Sequence, residues 1–300
     1  MKTFALIGVA GFIAPRHLQA IRDSGNELVA ALDKFDSVGI MDSYFPKAEF
    51  FTEFERFDRH LEKIRRQGKR VDYVSICSPN YLHDSHIRFA LRHGADAICE
   101  KPLVLNPWNL DALEEIEKET GKRTFTIFQL RLHPVIQQLK AEIDASPPGK
   151  RFSIDLNYIT SRGNWYSRSW KADESKSGGI ATNIGIHFFD MLLWIFGDCR
   201  AVHAHNLADD HASGDLRLER ADVRWSLSIN ADHLPEEVRK AGKRTFRSMK
   251  VDGREIEFSE GFTDLHTRCY EHILSGEGFG IKDAKPSIEV VYKLRKSGTK

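Results

Sequence analysis

Lys101, His187 and Asp190 are the side chains of this 300-residue chain best set to move protons, and their surroundings narrow the chemistry. Glu100-Lys101-Pro102 follows Ala95-Asp96-Ala97-Ile98-Cys99, which reads as a short buried strand. It precedes Asp111 to Glu119, which reads as an exposed helix. A Lys at the carboxyl end of a strand lies at the crevice where open α/β sheets bind ligands. Pro102 fixes its own φ and pushes Lys101 out of the helical region, so the Lys is held extended. The plain alternative is a surface Glu-Lys pair where a loop begins.

A glycine-rich turn, Gly8-Val9-Ala10-Gly11-Phe12-Ile13-Ala14, follows the first strand and opens the first helix. Glycines let the backbone turn tightly against a pyrophosphate, which the helix N-terminus stabilises. The match to G-x-G-x-x-G is imperfect, with Ala10 at the middle glycine position and Gly11 one residue later. Asp33 ends the second strand, where a carboxylate accepts hydrogen bonds from a ribose diol and repels a 2′-phosphate. That favours NAD over NADP, although Lys34 lies next door; an ordinary strand-ending Asp is the alternative. Ser78-Pro79-Asn80-Tyr81-Leu82-His83 leaves another strand at the same edge. Asn80 either contacts the cofactor or caps the next helix. His83 is either a cofactor contact or a packed surface His.

Asn183, His187 and Asp190 are spaced four and three residues apart, so on a helix they share one face. Phe188, Phe189, Leu192, Leu193 and Ile195 would bury the rest of that helix. A polar stripe on a buried helix needs partners or a purpose. One resolution is a core His satisfied by Asp190. The other is catalysis: hydride transfer from a sugar carbinol to NAD requires removal of the hydroxyl proton, by a His or a desolvated Lys. A neighbouring cation stabilises the developing alkoxide. Lys101 and His187 are the candidate pair.

These groups must be held by two kinds of sheet. Phe4–Ile7, Leu28–Leu32, Val71–Cys77, Asp96–Cys99 and Thr124–Leu130 are strand candidates, alternating with helices at Ile13–Ser24, His60–Gln67, Tyr81–His93 and Leu110–Thr120. Continuous apolar strands between helices indicate a parallel sheet covered on both faces. Further on, Phe152, Ile154, Leu156 and Tyr158 alternate with polar residues, as do Val223, Trp225, Leu227 and Ile229. Period-two alternation marks strands buried on one face, as in an antiparallel sheet. The boundary falls near residues 121–131, dividing the chain into a nucleotide-binding part (1–125) and a substrate-binding and oligomerisation part (126–300). The fold class is α/β, a parallel nucleotide-binding sheet followed by a second α/β domain.

Net charge is +1 with 29% charged residues, which gives no reason to expect a nucleic-acid or membrane surface. The basic stretch from Arg56 to Arg70 is interrupted by Glu55, Asp58 and Glu62 and reads as a solvated helix face. Cys77, Cys99, Cys199 and Cys269 show no metal-ligand or redox spacing, so no metal is expected and the thiols read as reduced. Met1-Lys2-Thr3 runs straight into a strand and no apolar run reaches membrane-spanning length; a cytoplasmic protein is the expectation.

Ser161-Arg162-Gly163-Asn164-Trp165-Tyr166-Ser167-Arg168-Ser169-Trp170-Lys171 is rich in aromatics and cations. Arg recognises carboxylate or phosphate bidentately, and Trp or Tyr offers stacking faces to sugars and bases. A contact between domains or subunits is the alternative. Gly261-Phe262-Thr263-Asp264-Leu265-His266-Thr267 either contacts a ligand or caps the helix Leu265–Leu274.

Together, Gly8 to His17, Asp33, Ser78-Pro79-Asn80 with His83, Glu100-Lys101-Pro102 and Gly178 to Asp190 resemble the glucose–fructose oxidoreductase / inositol dehydrogenase family, over nearly the whole chain. Ser161 to Tyr166 and Ser259 to His266 look like a narrower group within it, the bacterial UDP-N-acetyl-2-amino-2-deoxyglucuronate dehydrogenases of lipopolysaccharide sugar synthesis. The resemblance implies a Rossmann domain, a second domain with a large, mostly antiparallel sheet, NAD, oxidation of a UDP-sugar at its 3-hydroxyl, and homotetramers. It places Lys101 and His187 at the catalytic positions. Cofactor positions are Gly8, Gly11, Phe12, Ile13, Asp33, Ser78, Asn80, His83, Glu100, Lys101 and Gln129. Substrate positions are Lys101, Arg162, Asn164, Trp165, Tyr166, Trp170, Asn183 and His187. Asn183 falls where many members have Asp, which removes a carboxylate relay and favours His187 as base with Lys101 as electrostatic helper.

Two other readings are open: a dehydrogenase of a free polyol or simple sugar, and a catalytically silent NAD-responsive module. A small neutral polyol needs no Arg-rich clamp, and a silent module needs no proton-handling pair.

Overall fold

The computed structural model describes residues 1–258, 261–262 and 264–297. Ser259, Glu260 and Thr263, part of the segments singled out above, lie outside the described residues.

The chain runs β1 (Thr3–Ile7), α1 (Ala14–Asp23), β2 (Glu27–Leu32), β3 (Glu49–Phe51), α2 (Phe54–Arg66), β4 (Tyr73–Ile76), α3 (His83–Arg92), β5 (Asp96–Cys99), α4 (Pro107–Thr120) and β6 (Thr124–Thr126). It continues α5 (Pro134–Asp144), β7 (Phe152–Thr160), α6 (Glu174–Ser177), α7 (Ile186–Phe196), β8 (Cys199–Leu207), β9 (His211–Leu218) and β10 (Ala221–Ser228). Last come α8 (Glu236–Lys240), β11 (Thr245–Val251), β12 (Arg254–Glu255), α9 (Leu265–Leu274) and α10 (Ile281–Ser297).

Residues 1–129 and 263–284 form one compact unit, and 130–262 with 285–300 another. The apolar pattern alone puts a single division at 125/126. Residues 263–284 join the first unit because α9 carries side chains into its core: Tyr270 stacks on Phe4, 5.8 Å between centroids, and is fully buried.

The first unit is a six-stranded sheet in the order β3-β2-β1-β4-β5-β6, every pair parallel. All four residues of β4 are buried, the mark of a strand covered on both faces. Parallel pairing places the carboxyl ends of β1, β2, β4 and β5 on one edge, the edge that receives Gly8, Asp33, Ser78 and Glu100. α4 starts with Asn106 before Pro107 and stops at Gly121, whose φ of 66° ends the helix. α2 buries Phe57 and Leu61 and turns its basic face to solvent, where Glu62 pairs with Arg65 and Arg66. The short edge strand β3 is absent from the sequence reading, because three residues give no period to read. The strand expected over Thr124–Leu130 stops at Thr126, since Gln129–Leu132 wind into a 3-10 turn.

The second unit holds a six-stranded sheet, β12-β11-β7-β10-β9-β8, antiparallel except where β7 meets β10. Phe152, Ile154 and Leu156 share the buried face with Val223, Trp225 and Leu227. Each such side chain is worth about 1.5–3 kcal/mol when fully buried. α7 covers this face, its Phe189 edge-on to Trp225 at 5.2 Å. Gly185 permits the approach: a Cβ there would lie 2.7 Å from Leu227 Cδ1 and 2.8 Å from the Phe189 ring. The helical run Glu174–Phe196 is apolar and long enough to cross a membrane, but 78% of that window is buried inside the protein.

Candidate active site

The glycine turn of the first unit is built from backbone. Gly8 has φ +93°, and a Cβ there would lie 2.6 Å from the Cys77 carbonyl carbon and 2.7 Å from Ser78 N, so only glycine fits. Gly8 N–H donates to Leu32 O at 2.7 Å and Gly11 N–H to Gly8 O at 3.0 Å. The Asp33 carboxylate completes the turn, its Oδ2 accepting from Ala10 N–H at 3.0 Å and its Oδ1 from Phe35 N–H at 3.0 Å. Each carboxylate oxygen has further acceptor capacity, so a ribose diol can still be bound. Phe12 is 89% exposed on the turn and Ile13 is the half-buried N-cap of α1. A bare turn at a strand end, an adjoining helix N-terminus and a carboxylate on the next strand fit a dinucleotide. Gln129 adds a buried Oε1 with no hydrogen-bond partner among the described residues, an acceptor suited to a ligand's N–H or O–H.

The segment after β4 is tied to the one after β5 by His83. Its Nε2 lies 2.8 Å from Ser78 O and its Nδ1 2.7 Å from Pro102 O, which engages both ring nitrogens. The ring is buried, not on the surface, and each nitrogen faces a carbonyl of one ligand-edge segment; a neutral ring donates to one of the two, which ties the segments through a single N–H at a time. Burial lowers its pKa against the pull of the two carbonyls. Asn80 is buried in the 3-10 turn Asn80–Leu82 that leads into α3.

Glu100 is the centre of a network that the sequence did not announce. His17 Nε2 from α1 and His266 Nε2 from α9 both lie 3.0 Å from Glu100 Oε1. Lys101 N–H donates to Glu100 Oε2 at 3.3 Å. His17 Nδ1 lies 2.7 Å from Tyr270 Oη, which lies 2.6 Å from Ser75 Oγ. A directed chain accounts for every atom: both histidines donate through Nε2 to the carboxylate, and the Tyr270 hydroxyl donates to neutral His17 Nδ1. Burial pushes His17 below its ordinary range. Burial alone would raise Glu100, but the hydrogen bonds from His17 and His266 hold its carboxyl well below the usual carboxylate range. The result is a buried anion that fixes the backbone beside Lys101, whose own side chain is half-buried. With both oxygens so engaged, Glu100 acts on the cofactor edge through Lys101. The peptide between Lys101 and Pro102 is cis. Cys77, Cys99 and Cys269 are buried and their thiols pushed up in pKa by desolvation, which makes them unreactive.

In the second unit, residues 181–185 form a π-helical turn that leads into α7. Asn183 is buried and donates through Nδ2 to Tyr166 Oη at 3.1 Å, so two predicted substrate residues are brought together. His187 is half-buried on a helix whose other residues, Trp194 apart, are buried. Asp190 is claimed elsewhere. Arg131 grips it bidentately, Nε to Oδ2 at 2.9 Å and Nη2 to Oδ1 at 2.6 Å, both side chains buried. That pair locks α7 to the turn before α5 and removes Asp190 from the proton-handling candidates. Arg162, Asn164 and Trp165 are exposed, and Trp170 is half-buried under Lys171.

Sequence reasoning overlooked Arg247. It stands opposite Tyr158 in the β11–β7 register, on the buried face. The signal was available: Thr245, Arg247, Met249 and Val251 alternate, and an Arg interrupts an apolar face.

Family models match both halves of the chain: an oxidoreductase family NAD-binding Rossmann fold over residues 2–128, and an oxidoreductase family C-terminal α/β domain over 149–225. The chain belongs to the glucose–fructose oxidoreductase / inositol dehydrogenase (Gfo/Idh/MocA) family, and its first domain is an NAD-binding Rossmann domain. It is similar to the WlbA (WbpB) dehydrogenase of Thermus thermophilus, solved with NAD and α-ketoglutarate: 53% identity, 98% of this chain and 95% of that one, TM-score 0.95. The same enzyme solved with NAD and UDP-GlcNAcA aligns at 52% identity with the same coverage and TM-score. WlbA of Bordetella pertussis shares the fold at 19% identity, covering 99% of this chain and 96% of that one, with a TM-score of 0.80. The chain is 26% identical to the putative oxidoreductase YteT of Bacillus subtilis over 64% of its own length, and spans 42% of that relative.

Proposed function

We propose that this protein oxidises the 3-hydroxyl of UDP-GlcNAcA with NAD, forming the 3-keto sugar nucleotide used in lipopolysaccharide O-antigen sugar synthesis. The observation that carries this reading is the 53% identity, sustained over 98% of the chain, to a WlbA dehydrogenase, an enzyme also solved with NAD and UDP-GlcNAcA. The NAD-binding fold and the positions of Lys101 and His187 at a strand end and on a buried helix support it.

Gly8, Gly11 and the α1 N-terminus would hold the pyrophosphate, Asp33 the ribose diol, and Gln129 a polar group of the ligand. When bound, NAD supplies the hydride acceptor. His187 takes the proton of the 3-hydroxyl through a ring nitrogen. Lys101 supplies the positive charge that stabilises negative charge developing on that oxygen. Asn183, oriented by its bond to Tyr166, binds a substrate polar group. The Glu100 network keeps the backbone at Lys101 from shifting, and small misplacements of a reacting group are costly in rate.

We further infer a cytoplasmic homotetramer, as the family resemblance implies. The uncovered face of the second sheet supports self-association: Asp155 and Arg224 pair across it at 3.7 Å beside Asp215 and Arg217, a mixed-charge surface suited to another copy.

The test is reduction of NAD by the purified full chain, followed by NADH absorbance, with UDP-GlcNAcA and with myo-inositol. Turnover with the sugar nucleotide and product oxidised at C3 are expected. Turnover with the polyol alone would overturn the reading.

A further inference from the structure

Arg247 is a guanidinium walled by aromatic rings. Its Cζ lies 4.2 Å from the Phe262 ring centroid, 5.2 Å from Phe258 and 5.4 Å from Tyr158. Nη1 donates to Phe258 O at 3.2 Å, and the Tyr158 hydroxyl is a further hydrogen-bonding neighbour of the guanidinium. Its Nε is buried with no hydrogen-bond partner. Among the described residues no ion pair is formed by it; burial disfavours its charge, against the pull of Tyr158 and, more weakly, of Glu257. A cation taken out of water without an anion is costly, and aromatic faces return only about 0.5–2 kcal/mol of that cost. A guanidinium presents five donors in a planar fork, which matches a carboxylate. Among the described residues no carboxylate pairs with this fork, which leaves donors free for the anion of a ligand.

Its location decides which anion. Arg247 faces Tyr158 across the sheet, and Tyr158 packs on Phe188 at 4.8 Å. Phe188 follows His187 on α7, so the arginine stands one ring-to-ring contact from the residue beside the proposed base. Arg162, which the family resemblance places among the substrate positions, is exposed instead and uses its backbone N–H on Ile229 O at 2.9 Å.

We propose that Arg247 is the carboxylate-binding residue of this domain, holding the acid group of the ligand that His187 acts on. The inference rests on the proposed function for the identity of that ligand. The shared chemistry is a small organic carboxylate, either the uronic acid of the sugar nucleotide or that of a 2-oxo acid.

Calorimetry on the full chain with NAD present distinguishes these sources, using wild type, Arg247→Met and Arg247→Lys. UDP-GlcNAcA affinity should fall about 10–100-fold in Arg247→Met, the loss expected for a hydrogen bond between charged groups. UDP-GlcNAc, which lacks the carboxylate, should bind within about twofold of wild type. Arg247→Lys keeps the charge without the fork and should fall between the two; it decides the matter if the Met variant does not fold. A parallel loss for 2-oxoglutarate assigns Arg247 to either acid, whereas a loss for the sugar acid alone assigns it to the uronate. Equal losses for both sugar nucleotides, or no loss for any acid, overturn the proposal. A wild type that binds 2-oxoglutarate through Arg247 yet never oxidises UDP-GlcNAcA sinks the function and leaves the anion site standing.

Discussion

Glu100 Oε1 lies 3.0 Å from His17 Nε2, joining the strand end that carries Lys101 to the helix behind the glycine turn. The buried carboxylate stays charged there because His17 and His266 both donate to it, and Tyr270 orients the ring of His17. This makes stability depend on pH with a definite sign.

His17, His60 and His83 are held below the ordinary 6.5 by burial, and His86 is lowered to about 4. The unfolded chain therefore binds protons that the folded chain refuses, and stability rises with pH across this window. It is fully present above 6.5 and is lost as pH falls from 6.5 toward about 4, by up to roughly 1.4 kcal/mol per pH unit for each of the buried rings of His17, His83 and His86, and by much less for the more exposed His60. Glu100 adds to the decline at the acid end: it stays charged in the folded chain while an unfolded glutamate takes up its proton around 4.5, so its share begins to be lost there and goes on being lost at more acid pH. Thermal melts at pH 7.5, 6, 5 and 4 should show the decline beginning near 6.5. His86→Phe should flatten it, the ring stacking on Phe54 being kept. A melting temperature constant down to pH 5 would refute the buried-neutral assignment.

Asp33 has two duties. Its oxygens hold Ala10 and Phe35, and on the proposed placing of the ribose its charge would repel a 2′-phosphate. Asp33→Ser should weaken NAD binding about tenfold, from loss of charged hydrogen bonds and a loosened turn. NADP binding should weaken less or improve, narrowing the preference. Fluorescence titration of both cofactors reads this out. A wild type that prefers NADP would remove Asp33 from the ribose.

Local pattern carried much of this fold and less of the site. Lys101 was legible because a strand, a Pro and a helix follow one another in sequence, and the two sheets because buried strands read differently from half-buried ones. The links that finish the site join distant segments. His266 reaches Glu100 across 166 residues and Arg131 reaches Asp190 across 59. Period and spacing cannot pair such groups, so the sequence left Asp190 open as a partner of His187 when a buried guanidinium already held it. Arg247 differs: its strand alternates plainly, and the missed signal was a cation on the apolar side.

The proton-handling pair can be separated by what each variant spares. His187→Ala and Lys101→Ala should each cut kcat roughly 10²–10⁴-fold, the range for a general acid–base group or its electrostatic partner. His187 belongs to the second compact unit, so its removal should leave NAD affinity near wild type. Lys101 follows Glu100 at the cofactor edge, and its removal should weaken NAD as well as slow turnover. Single-turnover rates with UDP-GlcNAcA, alongside NAD titrations, give both quantities for each variant. The base assignment also predicts that Lys101→Arg recovers part of the rate, since the positive charge returns, while His187→Gln does not, since a carboxamide accepts no proton at neutral pH. Near-normal turnover in His187→Gln would reduce His187 to a packing role on α7 and move the base elsewhere.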